Sequence, residues 1–233
     1  METKKLLLIE DDVNLGYIMK CSLEDVIGGY EVDVALNGRE GLEHYRSFTP
    51  DIIVSDIDMP VMDGFEMLKT IRQTDLDIPV ILATGKSSSK NVTTGYETGA
   101  NNYIKKPYTA EELDAHIKAL FKMKNNAPMQ LKSDIQKIGK YTFDPKSLTL
   151  TFYDADKIEL TARESQILEL LAQHRGEVVK RDEILNKFWE NQDSTFASRS
   201  LDVFITKLRS YLSKDSSVVI RNVKQLGLIL DVV

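Results

Sequence analysis

Residues 6–12 read LLLIEDD, a short apolar run that ends in three acids. A run this short and apolar is typical of a strand covered on both faces, as in a parallel sheet. Further apolar segments follow at similar intervals, with amphipathic helical patterns between them. We therefore predict a flavodoxin-like, doubly wound α/β domain with five parallel strands, at Leu6–Ile9, Tyr30–Ala35, Ile52–Ser55, Pro79–Ala83 and Asn102–Ile104.

A polar stretch around Pro128 has the composition of a tether and divides the chain. We predict a first domain over residues 1–124, a linker over 125–137 and an α+β domain over 138–233. The first 124 residues hold 14 basic and 21 acidic residues, a net charge of −7, and the remainder holds 16 basic and 15 acidic residues, a net charge of +1. Partners must therefore be argued for each domain separately.

The sequence also indicates in which cellular compartment the protein is located. The lone cysteine, Cys21, cannot form an internal disulfide, and no secretion signal precedes the first strand. No apolar run approaches the roughly 18 residues that a membrane-spanning helix needs. We expect a cytoplasmic protein without a membrane partner.

Polar residues follow the predicted strands of the first domain at their carboxyl ends, where such folds place their chemistry. Glu10 and Asp11 end the first strand, Asp56 the third and Thr84 the fourth, and the fifth runs into Lys106. Clustered carboxylates repel one another unless a cation joins them, and oxygen ligands suit Mg²⁺. We predict that the three acids bind Mg²⁺, that Asp56 accepts a phosphoryl group, and that Lys106 and Thr84 stabilise it.

The motifs LLLIEDD (6–12), VSDIDMPVMDG (54–64), ILATG (81–85) and YIKKP (103–107) together resemble the receiver domain of two-component response regulators, over essentially residues 4–124. The resemblance implies that Asp56 is the phosphoacceptor and that Glu10 and Asp11 are metal-binding acids. It implies that Lys106 precedes a commonly cis prolyl bond. It also implies a cognate sensor histidine kinase as the phosphoryl donor.

The same resemblance assigns a switch pair, Thr84 and Tyr103. In such a pair the hydroxyl closes on the phosphoryl group and the aromatic ring turns inward. Phosphorylation adds about −1.5 to −2 charges and three acceptor oxygens, which is enough to re-aim a hydroxyl. Asp58 is a further acid near the acceptor, and we hypothesise that it tunes the lifetime of the phosphoryl group.

A helix is predicted at Ser198–Leu212, with Arg199, Val203, Thr206 and Ser210 on its outer face. A polar stripe by itself usually means a solvated surface. However, the stretches ELTARESQILELL (159–171), VVKRDEILNKFW (178–189) and SRSLDVFITKLRSYL (198–212) resemble the winged helix-turn-helix of the OmpR/PhoB family. The resemblance implies a last helix in the major groove of double-stranded DNA and a wing at the minor groove. By it, the residues that face DNA are Arg181, Arg199, Ser200, Val203, Thr206, Lys207, Arg209 and Lys224.

Two departures from that family concern the DNA-binding surface. Phe204 and Thr206 stand where relatives often carry His and Arg, and residues 222–230 read NVKQLGLIL where relatives usually read close to VRGxGYRF. The wing therefore lacks one glycine and an aromatic residue.

Family receivers typically pair through the helix before the fifth strand, that strand and the helix after it. We expect a homodimer through this face when the protein is activated, with a weakened ionic component because amides and a histidine replace usual charges. The predicted face comprises Glu97, Asn101, Asn102, Glu111, His116 and Lys118. The segment from Glu190 to Ala197 resembles one that meets RNA polymerase, although an ordinary connecting loop fits it nearly as well.

Two other classes stay open beside a phosphorylation-regulated, sequence-specific DNA-binding transcription regulator that is not a turnover enzyme. Asp56 and Asp58 form a DxD at a strand end, as in haloacid-dehalogenase-like phosphatases, but in those enzymes the motif lies on an early first strand. The altered wing and near-neutral second domain also fit a protein-interaction module.

Overall fold

The computed structural model describes residues 3–85, 98–125, 135–153, 155–189 and 194–233. The chain folds as two compact units, Met1–Lys124 and Asn125–Val233. No helix in the described ranges is long and apolar enough to cross a membrane.

The first unit contains a five-stranded sheet in which every strand pair is parallel. The strands are β1 (Lys4–Ile9), β2 (Tyr30–Ala35), β3 (Ile52–Asp56), β4 (Val80–Thr84) and β5 (Asn102–Lys105). Their order, β2-β1-β3-β4-β5, is that of flavodoxin-like folds, so the predicted architecture is confirmed.

The described helices of this unit are α1 (Val13–Cys21), α2 (Gly38–Phe48), α3 (Gly64–Ile71) and α4 (Ala110–Asn125), and α1 continues as a π-helix over Ser22–Ile27. Alternate residues of β1 face opposite layers because side chains alternate along a strand. Leu6 and Leu8 belong to a core shared with residues of α1 and α4. On the other face, a Cβ at Gly41 would lie 2.7 Å from Ile9, so α2 packs closely on the sheet.

The second unit begins with a four-stranded antiparallel sheet in the order β6-β7-β8-β9. Three helices and a three-stranded sheet, in the order β10-β12-β11, follow it. The elements are β6 (Gln136–Ile138), β7 (Tyr141–Asp144), β8 (Thr149–Phe152), β9 (Asp156–Glu159), α5 (Ala162–Gln173), β10 (Val179–Lys180), α6 (Arg181–Trp189), α7 (Ser194–Tyr211), a 3-10 turn (Leu212–Lys214), β11 (Val218–Val223) and β12 (Gly227–Val232).

The predicted linker over residues 125–137 was too long at both ends. Asn125 still belongs to α4, and Gln136 and Lys137 pair with β7 as the start of β6. Sequence composition missed β6 because it is an edge strand of three residues in which only Ile138 is buried. An edge strand needs no apolar pattern to be held by its backbone hydrogen bonds.

Candidate functional site

Three carboxylates meet at the carboxyl edge of the parallel sheet. Strands β1 and β3 are adjacent with Ile9 opposite Ser55, so Glu10, which follows β1, lies beside Asp56, the last residue of β3. One oxygen each from Glu10, Asp11 and Asp56 lies within 4.8 Å of the others. Glu10 and Asp56 are buried, whereas Asp11 is exposed. The structure thus brings together the three acids that the sequence selected.

Backbone amides fix the orientation of the Asp56 carboxylate. Its Oδ1 atom accepts hydrogen bonds from the amides of Ile57 at 2.6 Å and Asp58 at 3.3 Å. Its Oδ2 atom accepts one from Nζ of Lys106 at 2.5 Å. The Asp56 side chain is therefore already held in one orientation before a reaction partner arrives.

Lys106 supplies the positive charge of the site. Its Nζ atom also donates to both carboxylate oxygens of Glu10, at 2.8 and 2.6 Å. The Lys106–Pro107 peptide is cis, as the resemblance to receiver domains implied, and the Lys106 amide donates to the carbonyl of Thr84 at 2.9 Å. Burial alone would lower the pKa of Lys106, but the hydrogen bonds to Asp56 and Glu10 outweigh it and raise that pKa. Lys106 is therefore charged at neutral pH.

The pKa of Glu10 reflects both its burial and the neighbouring acids. Burial raises this pKa, Lys106 opposes the shift, and the charges of Asp56 and Asp11 raise it further, so that the net direction is upward. A divalent cation would relieve the repulsion between these acids, and a donor set made only of carboxylate oxygens fits a hard cation. The acidic cluster thus fits the kind of metal site that receiver domains contain.

Thr84 and Tyr103 lie on the two strands beyond Asp56. Asp56 is opposite Ala83 in the sheet, which places Thr84 one residue further along β4. Tyr103 is opposite Leu82 on β5. Both side chains are buried, so the Tyr103 ring, expected to turn inward on activation, is already inside in this structure.

Sequence reasoning gave no role to three residues around the site. The side chain of Asp12 accepts hydrogen bonds from the amides of Asn14 and Leu15, so it caps α1. A Cβ at Gly64 would lie 2.3 Å from the carbonyl oxygen of Asp56, so only glycine allows α3 to begin there. Tyr108 is buried nearby, and burial followed by the charges of Glu10 and Asp56 raises its pKa. Only its position after the Lys–Pro pair could have flagged it.

The predicted DNA-facing residues divide into exposed and buried groups. Arg199 and Thr206 of α7 are exposed, and so is Lys224 in the turn between β11 and β12. Arg209 is exposed as well, but its guanidinium donates to the carbonyl of Ile220 at 2.9 Å and to Asn222 at 3.0 Å. It therefore ties α7 to the hairpin formed by β11 and β12, which we call the wing.

Arg181 is held by the same helix. Its guanidinium donates to the carbonyl oxygen and hydroxyl of Ser198, both at 2.8 Å, and to Asp202 at 2.9 Å. Its amide donates to the carbonyl of Leu226 at 3.0 Å. The first residue of α6 therefore contacts both α7 and the wing.

Two predicted contacts were wrong. Ser200 is fully buried and Val203 is 8% exposed, so neither presents its side chain on the outer face. The helical period alone suggested a narrow inner stripe, but α7 packs against α5, α6 and β11 and therefore buries a wider one. Lys207 is also drawn inward, because its Nζ atom lies 3.0 Å from Oε1 of the buried Glu164.

The predicted dimer face is smaller than expected. Asn101, Asn102 and His116 are buried at 6%, 4% and 4% exposure, which corrects the prediction that they lie on the surface. Oδ1 of Asn101 accepts hydrogen bonds from the Val80 amide at 2.8 Å and from Arg72 at 3.0 Å. Asn101, Asn102 and His116 therefore form hydrogen bonds in the interior of the receiver.

Two of the remaining residues of that face lie at the surface. Glu111 and Lys118 are exposed on α4. Glu97 lies outside the described residues, as do residues 190–193 of the segment that resembles an RNA polymerase contact.

The wing departs from the expected sequence without losing its hairpin. Gln225 has a positive φ of 62°, in the left-handed region that favours glycine. A Cβ at Gly227 would lie 1.9 Å from the carbonyl oxygen of Val179, so this glycine permits the pairing of β12 with β10. Gln225, which replaces the first glycine, thus adopts a strained backbone conformation. Gly227, the second glycine, is required because the Val179 carbonyl leaves no room for a side chain.

Two family models match the chain: the response regulator receiver domain over residues 6–118, and the C-terminal domain of transcriptional regulatory proteins over residues 155–230. The transcriptional regulatory protein RprY of Bacteroides fragilis is 35% identical over 226 residues, which cover 97% of this chain and 94% of RprY. The alkaline phosphatase synthesis transcriptional regulatory protein PhoP of Bacillus subtilis is 30% identical, covering 96% of this chain and 95% of PhoP. The chain belongs to the OmpR/PhoB family of response regulators.

Solved structures agree with this response-regulator architecture. DrrB, an OmpR/PhoB homologue from Thermotoga maritima, is 26% identical with a TM-score of 0.50, covering 98% of this chain and 99% of DrrB. A variant of RitR, 23% identical with a TM-score of 0.75, covers 97% of this chain and 98% of its own and shares the fold. The predicted winged helix-turn-helix is therefore confirmed.

Membership in this family settles the class of function. The response regulator is a phosphorylation-regulated, DNA-binding transcription regulator and not a turnover enzyme. Its receiver domain implies a partner kinase, and its second domain implies DNA. The phosphatase and interaction-module alternatives are thereby set aside.

Proposed function

We propose that Asp56 accepts a phosphoryl group. We also propose that the phosphorylated receiver promotes binding of two copies to DNA through their second domains, each of which begins at β6. The observation that carries this proposal is the sharing of one ammonium, that of Lys106, between Asp56 and Glu10. A lysine held between two carboxylates neutralises charge where an anionic phosphoryl group must approach.

The reaction transfers a phosphoryl group from a donor atom to a carboxylate oxygen of Asp56. A carboxylate oxygen of Asp56 forms a bond to phosphorus as the bond from phosphorus to the donor breaks. The leaving group is the imidazole of a histidine kinase or a small carboxylate, and it departs with the electron pair. The imidazole then takes up a proton. Lys106 stays charged throughout and pairs with the phosphoryl oxygens.

Glu10, Asp11 and Asp56 would hold Mg²⁺ at this edge. When bound, Mg²⁺ supplies charge neutralisation for the phosphoryl oxygens. Asp12 does not belong to this set, because its carboxylate caps α1.

Thr84 and Tyr103 are proposed to transmit the change. The new phosphoryl oxygens accept a hydrogen bond from the Thr84 hydroxyl, and the Tyr103 ring on the adjacent strand repacks with it. Asp58 is proposed to tune the lifetime of the aspartyl phosphate, because it is exposed beside the acceptor and its amide already bonds the Asp56 carboxylate. An Asp58→Asn variant with an unchanged dephosphorylation rate would remove that role.

The DNA-reading surface is proposed to be the exposed side of α7 together with the wing. Arg199 and Thr206 supply contacts from the helix and Lys224 supplies a phosphate contact from the wing, with Arg209 and Arg181 at the edges of this surface. A regulator of this kind works beside the chromosome, so we propose a cytoplasmic location.

Dimerisation compensates for the small number of cations in each protomer. We propose a two-fold pairing of receivers through β5 and α4, with Glu111 and Lys118 as its exposed charges. Phosphorylated protein should sediment as a dimer, and a protein that stays monomeric at working concentration would contradict the pairing. The segment that begins at Glu190 is proposed as a contact with RNA polymerase.

The test measures binding to fragmented genomic DNA at stated salt, with and without a small acyl-phosphate donor and Mg²⁺. Asp56→Ala is compared with Asp77→Ala, which removes an exposed acid at the opposite edge of the sheet. We expect the donor to tighten specific binding by the wild type and Asp77→Ala only. Equal binding by all three proteins would mean that Asp56 is not the control point, and no specific binding would remove the DNA-reading surface.

A further inference from the structure

Lys207 occupies a position where a DNA contact was expected, but its side chain points into the protein. That side chain is only 19% exposed, and its Nζ atom donates to Oε1 of Glu164 at 3.0 Å. Glu164 is on α5, 43 residues earlier in the chain, and its side chain is 2% exposed. The interaction therefore joins α7 to another helix of the domain core.

The Glu164 carboxylate has a second structural task. Its Oε2 atom accepts a hydrogen bond from the amide of Thr161 at 2.8 Å, and the Thr161 hydroxyl accepts one from the Glu164 amide at 3.4 Å. This reciprocal pair is a capping box at the start of α5. One carboxylate thus fixes the first turn of α5 with one oxygen and α7 with the other.

A second residue of α7 lies near the same carboxylate. Tyr211 is one helical turn beyond Lys207, and burial followed by the Glu164 charge raises its pKa to about 12. The ion pair between Lys207 and Glu164 therefore sets how α7 is rotated about its axis against α5.

Charge balance keeps Lys207 in this position. If its ammonium turned outward to a DNA phosphate, it would leave a buried carboxylate without its counterion, which is strongly unfavourable. Arg199 differs, because it is exposed on the outer side of the same helix. Arg199 and Lys207 are therefore not equivalent.

We propose that Lys207 is a positioning residue that sets the rotation of α7 through Glu164 and does not itself contact DNA. The proposal rests on the proposed role of α7 as the DNA-reading helix. The proposal can be tested through the salt dependence of DNA affinity. Loss of a residue that contacts phosphate and loss of a residue that orients a helix affect this dependence differently. Each phosphate contact contributes about 0.9 to the slope of log affinity against log salt, whereas a small change in helix rotation that keeps the same phosphate contacts leaves that slope unchanged.

The experiment uses the full-length protein and a duplex selected by the wild type from a random-sequence library. Affinity is measured at several salt concentrations for Lys207→Met, Lys207→Arg and the matched charge deletion Arg199→Met. We expect Lys207→Met to weaken binding about tenfold at every salt concentration with an unchanged slope, since a hydrogen-bonded charge pair is lost. We expect Arg199→Met to lower the slope by about 0.9 per protomer, and Lys207→Arg to restore affinity by pairing with Glu164.

Glu164→Gln tests the proposal without a change at Lys207, because the two possible roles of Lys207 predict opposite changes in DNA affinity. Glutamine keeps an acceptor for the Thr161 amide but removes the charge that holds Lys207. If Lys207 positions α7, Glu164→Gln weakens DNA binding; if Lys207 contacts phosphate, releasing it leaves binding unchanged or strengthens it. Circular dichroism establishes that each variant is folded at the assay temperature.

The outcomes separate this proposal from the function on which it rests. A slope that falls in Lys207→Met as in Arg199→Met would overturn the positioning role while leaving DNA binding intact. Wild-type affinity in both Lys207→Met and Glu164→Gln would overturn it as well. A wild-type protein that selects no duplex would instead refute the proposed DNA-reading surface, and the positioning role would fall with it.

Discussion

Nζ of Lys106 lies 2.5 Å from Oδ2 of Asp56, across 50 residues of sequence. Only the parallel sheet brings the two together, since Asp56 ends β3 and Lys106 follows β5, with β4 between them. Glu10 completes the arrangement from β1. The site is thus assembled from three strand ends, and each of its charges can be tested separately.

Replacing Lys106 by methionine should slow phosphorylation of Asp56 by a small-molecule donor. The expected loss is about 100-fold or more, the size found when one preorganised donor to a developing charge is removed. Lys105→Met is the matched control, because Lys105 is its exposed neighbour. Intact-protein mass spectrometry follows the added phosphoryl group, and equal rates in both variants would contradict the role of Lys106.

Asp11 and Asp12 are adjacent acids with different predicted roles. Asp11→Asn should weaken Mg²⁺ binding, measured by calorimetry, by at least the roughly 10- to 100-fold seen when an outer-shell partner of a metal is lost. Asp12→Asn should leave Mg²⁺ affinity unchanged, because asparagine is an equally good N-cap for α1. Removing Mg²⁺ with a chelator should stop phosphorylation in all proteins. Similar Mg²⁺ affinities for the two variants would show that the exposed Asp11 is not a ligand.

The wing should respond in opposite directions at two positions. Gln225→Gly should stabilise the second unit by up to about 1 kcal/mol, since a left-handed backbone costs a non-glycine residue about 1–2 kcal/mol and glycine returns part of this as entropy. Gly227→Ala should destabilise it by about 3 kcal/mol or more, because the added methyl would overlap the immobile Val179 carbonyl. Urea unfolding measures both changes. A destabilising Gln225→Gly would mean that its side chain contributes more than the strain costs.

The receiver should lose stability in mild acid because of His116. Burial lowers the pKa of His116 below its ordinary 6.5, against a smaller opposing effect of Glu112. Its Nδ1 atom lies 3.0 Å from the Asn102 side-chain nitrogen, a donor, so Nδ1 must be unprotonated in the folded state. The contribution of neutral His116 to the free energy of unfolding is fully present above pH 6.5 and is lost as pH falls through the lowered folded-state pKa.

Thermal unfolding between pH 7.5 and 5.5 measures that loss. His116→Leu should be less stable at pH 7.5 but less sensitive to acid than the wild type. His174→Leu, in the second unit, is the control and should keep the wild-type pH dependence of receiver unfolding. An unchanged acid sensitivity in His116→Leu would mean that other groups cause it.

The sequence alone determined the parallel α/β architecture of the first domain and the residues of the acidic edge, whereas the winged helix-turn-helix was expected from the resemblance of its motifs to a family. Apolar runs of strand length place Glu10, Asp56 and Thr84 at strand ends, and parallel strands must bring such ends to one edge. The Thr161–Glu164 capping box likewise depends only on two residues three positions apart. These features follow from local period and spacing, which one chain segment contains by itself.

Only the tertiary structure decided which polar residues face solvent. Ser200, Asn102 and Lys207 have the composition of surface residues, but neighbouring elements cover them, and His116 and Glu164 supply buried partners. Burial of a polar group depends on whether another segment provides a matching donor or acceptor, and the distance along the chain gives no sign of that. The inward turn of Lys207 is therefore a property of the packed domain, because its carboxylate partner lies 43 residues away.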